Sequence, residues 1–119
     1  MINKKQITEE QARYAIDTGE FDKSVIASKN KVVVILTQNW CPQWKNLKSW
    51  IYDISTDEDI DVYELEYNKT DYFDEFRSFK ENVWRNFDVP YLRFYEAGVL
   101  VGQTNYISQM QLAQMLGII

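Results

Sequence analysis

The sequence predicts an α/β fold in which a mixed sheet carries helices on both faces. Three observations support this class. Lys31–Thr37 reads K-V-V-V-I-L-T, a β-branched run without alternation, which is the pattern of a central parallel strand buried on both sides. The period then changes: Trp44, Leu47, Ile51 and Ile54 fall at helical spacing and mark one face of a helix. Near the end, Tyr91–Tyr95 alternates, Glu96-Ala97-Gly98 turns, and Val99-Leu100-Val101 returns, which is an antiparallel hairpin.

The other elements follow in order. Thr8 with Gln11 is a capping box and opens a helix over about 9–17, with Gly19 as its stop. Phe21, Val25 and Ile26 suit a short second helical piece. Pro42 belongs in the first turn of the helix after the long strand, where its missing N–H costs nothing. A second strand is expected over 61–67, with Val62, Leu65 and Tyr67 apolar. Asp71 to about Val83 reads as an amphipathic helix through Phe73, Phe76 and Phe79 or Lys80. Asp88-Val89-Pro90 ends it, because a residue before proline avoids the helical region. Ser108 with Gln111 caps a last helix whose face is Met110 or Leu112, Met115 and Leu116.

With 119 residues, the chain is expected to form one domain over residues 1–119. Its net charge of -5 argues against binding a phosphate backbone, so no nucleic-acid partner is expected. Histidine is absent, which removes Ser-His and Cys-His catalysis and histidine-ligated metals. One cysteine forms neither an internal disulfide nor a multi-thiolate metal site. No metal and no cofactor are expected. A single thiol suits a reducing cytoplasm. The N-terminus lacks the apolar stretch of a secretory signal, and no run is long enough to span a bilayer. The acidic run Asp57-Glu58-Asp59-Ile60-Asp61 reads as a solvated loop.

Cys41 sits where the first long strand gives way to a helix, and Val89-Pro90 opens the hairpin. In this order the two segments, Val33–Pro42 and Val89–Gly102, resemble the thioredoxin superfamily. The resemblance covers the chain from about Lys31 onward. It implies a thioredoxin-like three-layer α/β/α fold with a mixed central sheet and a cis-proline hairpin. It also implies that Cys41 is the attacking thiol, with Pro90 a cis proline packed beside it. Trp40 would flank the site, and the Val89 backbone would be free to pair with an extended substrate segment. Any first strand would be short, near Lys5–Thr8. The sequence departs from the family at three places. The position of a resolving cysteine holds Trp44. The buried acid of the first central strand falls on Ile35, and the lysine of the next strand on Glu64.

A cysteine at a helix N-terminus faces unsatisfied N–H groups and the positive end of the dipole, which favour the nucleophilic thiolate. Lys45 would add to this if it turned toward the sulfur. The competing reading is a small buried hydrophobe, which lone cysteines often are. Trp44 likewise has two readings, core filler on its helical stripe or a ring over the groove that binds substrate. Tyr91, Arg93 and Tyr95 share one face of their strand and are expected to pack under a helix or loop.

The function expected from these residues is monothiol thiol–disulfide exchange or isomerisation through mixed disulfides at Cys41. Trp40, Trp44, Val89 and Pro90 would bind substrate. The partner would be a disulfide-bearing or thiol-modified protein, with a low-molecular-weight thiol for release. The alternative is a non-catalytic thioredoxin-fold module that binds a partner peptide in the same groove.

Overall fold

The computed structural model describes residues 1–118. Its centre is β2 (Lys31–Thr37), whose residues Val32–Leu36 are completely buried. Burial of such aliphatic side chains contributes roughly 1.5–3 kcal/mol each. The strand is flanked by β3 (Ile60–Glu66) in parallel and β4 (Tyr91–Glu96) antiparallel. Two edge strands complete a five-stranded sheet of order β1-β3-β2-β4-β5: β1 (Ile2–Gln6), parallel to β3, and β5 (Val99–Thr104), antiparallel to β4.

The pleat of β2 divides the interior into two layers. Val32, Val34 and Leu36 face α1 (Glu9–Thr18), the short α2 (Lys23–Ile26) and α4 (Phe73–Asn82), which bury Ala12, Ala15, Val25, Ile26, Phe76 and Phe79 there. Val33 and Ile35 face α3 (Pro42–Ile51) and α5 (Gln109–Leu116), which bury Trp44, Leu47, Ile51, Leu112 and Leu116. The fold is therefore three-layered, helices–sheet–helices, as the sequence predicts.

Local signals account for the ends of these elements. Capping boxes at Thr8/Gln11 and Ser108/Gln111 open α1 and α5. Gly19 closes α1 in the left-handed region at φ 93°. The hairpin turns through Ala97 and Gly98, both at positive φ, 51° and 77°.

Four sequence expectations change. The first strand is Ile2–Gln6, not 5–8, and Ile7 is already in the core beyond it. Ile54 lies beyond the end of α3 rather than on it. On α5 the buried residues are Leu112, Ala113 and Leu116, whereas Met110 and Met115 are exposed. The acidic run is solvated only through Asp59: Asp61 belongs to β3 and is fully buried. There it accepts hydrogen bonds from Ser28 Oγ at 2.6 Å and Asn3 Nδ2 at 3.0 Å, with Lys5 Nζ at 3.2 Å. Burial alone would raise its carboxyl, but these partners outweigh that and hold it below the usual value.

Candidate active site

β2 delivers the chain to the C-terminal edge of the sheet, where Gln38–Trp40 turn and Cys41 caps α3. The turn is pinned from the segment after β3. Asn39 N donates to Asn68 Oδ1 at 2.9 Å, and Asn68 Nδ2 donates back to Asn39 Oδ1 at 2.6 Å. Gln38 Nε2 donates to the Tyr67 hydroxyl at 3.3 Å. Cys41 N donates to Gln38 O at 3.2 Å and Cys41 O accepts from Lys45 N at 3.1 Å, so the cysteine backbone is fixed on both sides.

The Val89–Pro90 peptide bond is cis and stands directly opposite. Cys41 Sγ lies 3.4 Å from Val89 O and 3.2 Å from Gln43 Oε1. Both partners are acceptors, so each is suited to an S–H donor. Among the described residues the Val89 N–H has no hydrogen-bond partner. Cys41 itself is only 1% exposed. Beside it opens a groove of about 360 Å³ lined by Pro42, Gln43, Asn46, Leu47, Pro90, Asn105, Tyr106 and Ile107. Gln43 and Pro42 thus separate the thiol from a ready-made cleft.

The structure brings Cys41, Val89 and Pro90 together, and Trp40 flanks them, 58% exposed, its Nε1 donating to Gln38 Oε1 at 2.6 Å. Trp44 is a correction to its place among the substrate-binding residues. It is 1% exposed, packed with Val33, Ile35 and Leu47, and its Nε1 donates to Glu66 Oε2 at 2.8 Å. The helical stripe turns it inward under the sheet, away from the groove. Lys45 is exposed and makes no hydrogen bond to the sulfur among the described residues. Gln43 takes that place.

Glu64 is not the idle substitute its position suggests. It is 3% exposed, paired in register with Ile35, and accepts from Tyr52 Oη at 2.7 Å and Gln6 Nε2 at 2.7 Å. Lys4 and Lys48 stand 3.7 and 3.8 Å from its Oε1. Burial, and then the bond to Glu64, push the Tyr52 hydroxyl well above its ordinary range.

Sequence reasoning missed Gln43, Asn105, Tyr106 and Ile107. Gln43 follows the cysteine by two residues, but no hydrophobic period marks an exposed amide. The other three come from the segment after β5, more than sixty positions from Cys41, and only the hairpin brings them back. Phe87 and Tyr106 are also exposed aromatics, at 64% and 60%. Tyr106 lies on the groove wall and Phe87 on the segment that leads to Val89.

No protein-family model matches the chain, and no curated protein matches its sequence. Solved structures share its fold. Oxidised thioredoxin O1 from Arabidopsis thaliana superposes with a TM-score of 0.68 at 14% identity, over 97% of this chain and 96% of that one. Thioredoxin O2 from the same plant gives 0.66 at 14%, over 98% and 91%. Oxidised thioredoxin from Plasmodium falciparum gives 0.60 at 17%, over 95% and 94%. The chain has the thioredoxin fold. The chain holds a single thiol, Cys41, at the turn from β2 into α3, with Trp44 three residues further on. No helix among the described residues is long and apolar enough to cross a membrane.

Proposed function

We propose that the protein carries out monothiol thiol–disulfide exchange at Cys41. The observation that carries this reading is the 3.4 Å approach of Cys41 Sγ to Val89 O, which sets the thiol against a backbone whose N–H has no partner among the described residues. An extended segment laid in the groove would pair with Val89 strand to strand, bringing its own sulfur to Cys41. Once Cys41 loses its proton, the thiolate attacks a substrate disulfide, forming a mixed disulfide and releasing the substrate's other sulfur as a thiolate. With no second cysteine in the chain, an external thiol then attacks the mixed disulfide and Cys41 leaves as thiolate. The net result is transfer or rearrangement of a disulfide, with the protein unchanged. Val89 and Pro90 position the substrate, and Trp40 and Tyr106 supply exposed ring faces beside it. Protein segments bearing a disulfide or a thiol adduct are the substrate class, and a reducing cytoplasm is the compartment that suits a lone thiol.

The burial of Cys41 favours a second reading, a peptide-binding module in which the thiol is part of the core. One experiment separates the two. Folded protein is incubated with a peptide disulfide at neutral pH, and adducts are measured by mass, with Cys41→Ser as control. Formation of a mixed disulfide at Cys41, resolved by added thiol, is the expected result. A cysteine that reacts only after denaturation sinks the exchange reading and leaves the module.

A further inference from the structure

The segment that carries Val89 is held by two side chains that no catalytic step uses. Lys80, near the C-terminal end of α4, is 1% exposed. Its Nζ donates to Asn86 O at 3.0 Å and to Asp88 O at 2.7 Å, and it lies 5.6 Å from the centre of the Tyr91 ring. Among the described residues no carboxylate is within 4.0 Å of it. A buried ammonium without a salt bridge depends on its remaining partners, and here they are the carbonyls of one loop. From the other side comes Asn105, in the segment between β5 and α5. Its Nδ2 lies 3.1 Å from Asp88 O and 3.0 Å from Pro90 O. It also shares a reciprocal pair with the Asn86 amide, at 2.8 and 2.9 Å. Carbonyls of Asn86, Asp88 and Pro90 are thus held on both sides of Val89, by the end of the preceding helix and by a segment that follows the hairpin. The charged groups around Lys80 are Glu81 on its own helix, Asp88 on the loop, and Arg93 on β4, whose guanidinium lies 5.8 Å from the same Tyr91 ring.

We infer that Lys80 and Asn105 are positioning residues that clamp residues 86–90 and so fix the Val89 backbone where a substrate segment pairs beside Cys41. The inference rests on the exchange reading for its consequence, but the clamp itself is independent of it. Asn105 also lines the groove, so the same side chain shapes the cleft and holds its opposite lip.

The test uses Lys80→Met and Asn105→Ala. Asn105 is half-buried in a loop, so its variant keeps the question open to measurement if Lys80→Met folds poorly. Amide hydrogen exchange is compared at Asn86, whose N–H donates to Lys80 O at 3.2 Å, and over Val33–Leu36 of β2. Both variants should exchange about tenfold faster at Asn86, a loss of ~1.4 kcal/mol of local closure, with β2 unchanged. Exchange of Cys41 with a neutral peptide disulfide should fall about tenfold while iodoacetamide labelling is no slower, because a small reagent needs no strand pairing. Unchanged protection at Asn86, uniform loosening of the sheet, or undiminished peptide exchange despite a loosened loop each overturns the inference. A wild-type protein inert to the peptide disulfide instead removes the exchange reading, and the clamp then stands or falls on hydrogen exchange alone.

Discussion

Trp44 occupies the place of a resolving thiol, and its surroundings show why the position is now structural. The ring fills the layer between β2 and α3, and its N–H is bonded to Glu66, with Lys48 Nζ 5.6 Å from the ring centre. Trp44→Ala should cost about 3–5 kcal/mol, because the cavity cannot collapse between a helix and a central strand. A urea titration followed by circular dichroism reads this directly. A loss below about 1 kcal/mol would mean that the indole is not core. The sequence left Trp44 between core and groove because its spacing from Leu47 and Ile51 fixes a helical face but not what that face meets. Cys41, Val89 and Pro90 were legible because each is marked by local chemistry, a helix cap or a proline. Gln43 and Asn105 were not, since an amide bonded to a sulfur or to remote carbonyls leaves no trace in periodicity. Asp61 was hidden in a run of like residues, and only its strand register with Val32 and Asn3 turns it inward.

At the scale of elements, the interior strands announced themselves and the edge did not. β2 is uniformly apolar because both faces are covered, whereas β1 reads I-N-K-K-Q and is largely exposed. Its pairing with β3, from Ile2 with Ile60 to Gln6 with Glu64, rests on backbone bonds and polar contacts that carry no hydrophobic signature. Two local predictions follow from terminal geometry. Thr8 accepts from Gln11 N at 3.2 Å, and Gln11 Oε1 accepts from Thr8 N at 2.9 Å. Thr8→Ala should therefore cost about 1 kcal/mol of global stability. The hairpin offers the opposite case. Ala97 is exposed and held at φ 51°, a region that disfavours a Cβ, while its N–H donates to Asn30 O at 2.8 Å. Asparagine tolerates this conformation and keeps the donor. Ala97→Asn should raise stability by roughly 0.5–1 kcal/mol; a lower melting temperature for that variant would contradict the turn as described.

For the whole molecule, buried titratable groups on the α1/α4 side of the sheet set the response to alkaline pH. Burial pushes the Lys80 ammonium down to about 8 from 10.5, against the opposing pull of Glu81 and Asp88. Between those values the unfolded chain binds a proton that the native state has released, so stability should rise with pH across that window. Tyrosines act in the other direction. Burial holds the Tyr95 hydroxyl well above its ordinary value of 10.0, with Glu20 adding to the rise and Arg93 opposing it, and on the opposite layer burial does the same to Tyr52. Above about pH 10 the unfolded chain loses phenolic protons that the native state keeps, so stability should fall. The two trends together give a maximum near pH 10 rather than at neutrality. The measurement is urea denaturation from pH 7 to 11 in a Cys41→Ser background, where no thiol titrates. Lys80→Met in that background should lose the rising limb above pH 8 and retain the fall above pH 10. If both proteins show the same slope between pH 8 and 10, burial does not depress the Lys80 ammonium in solution.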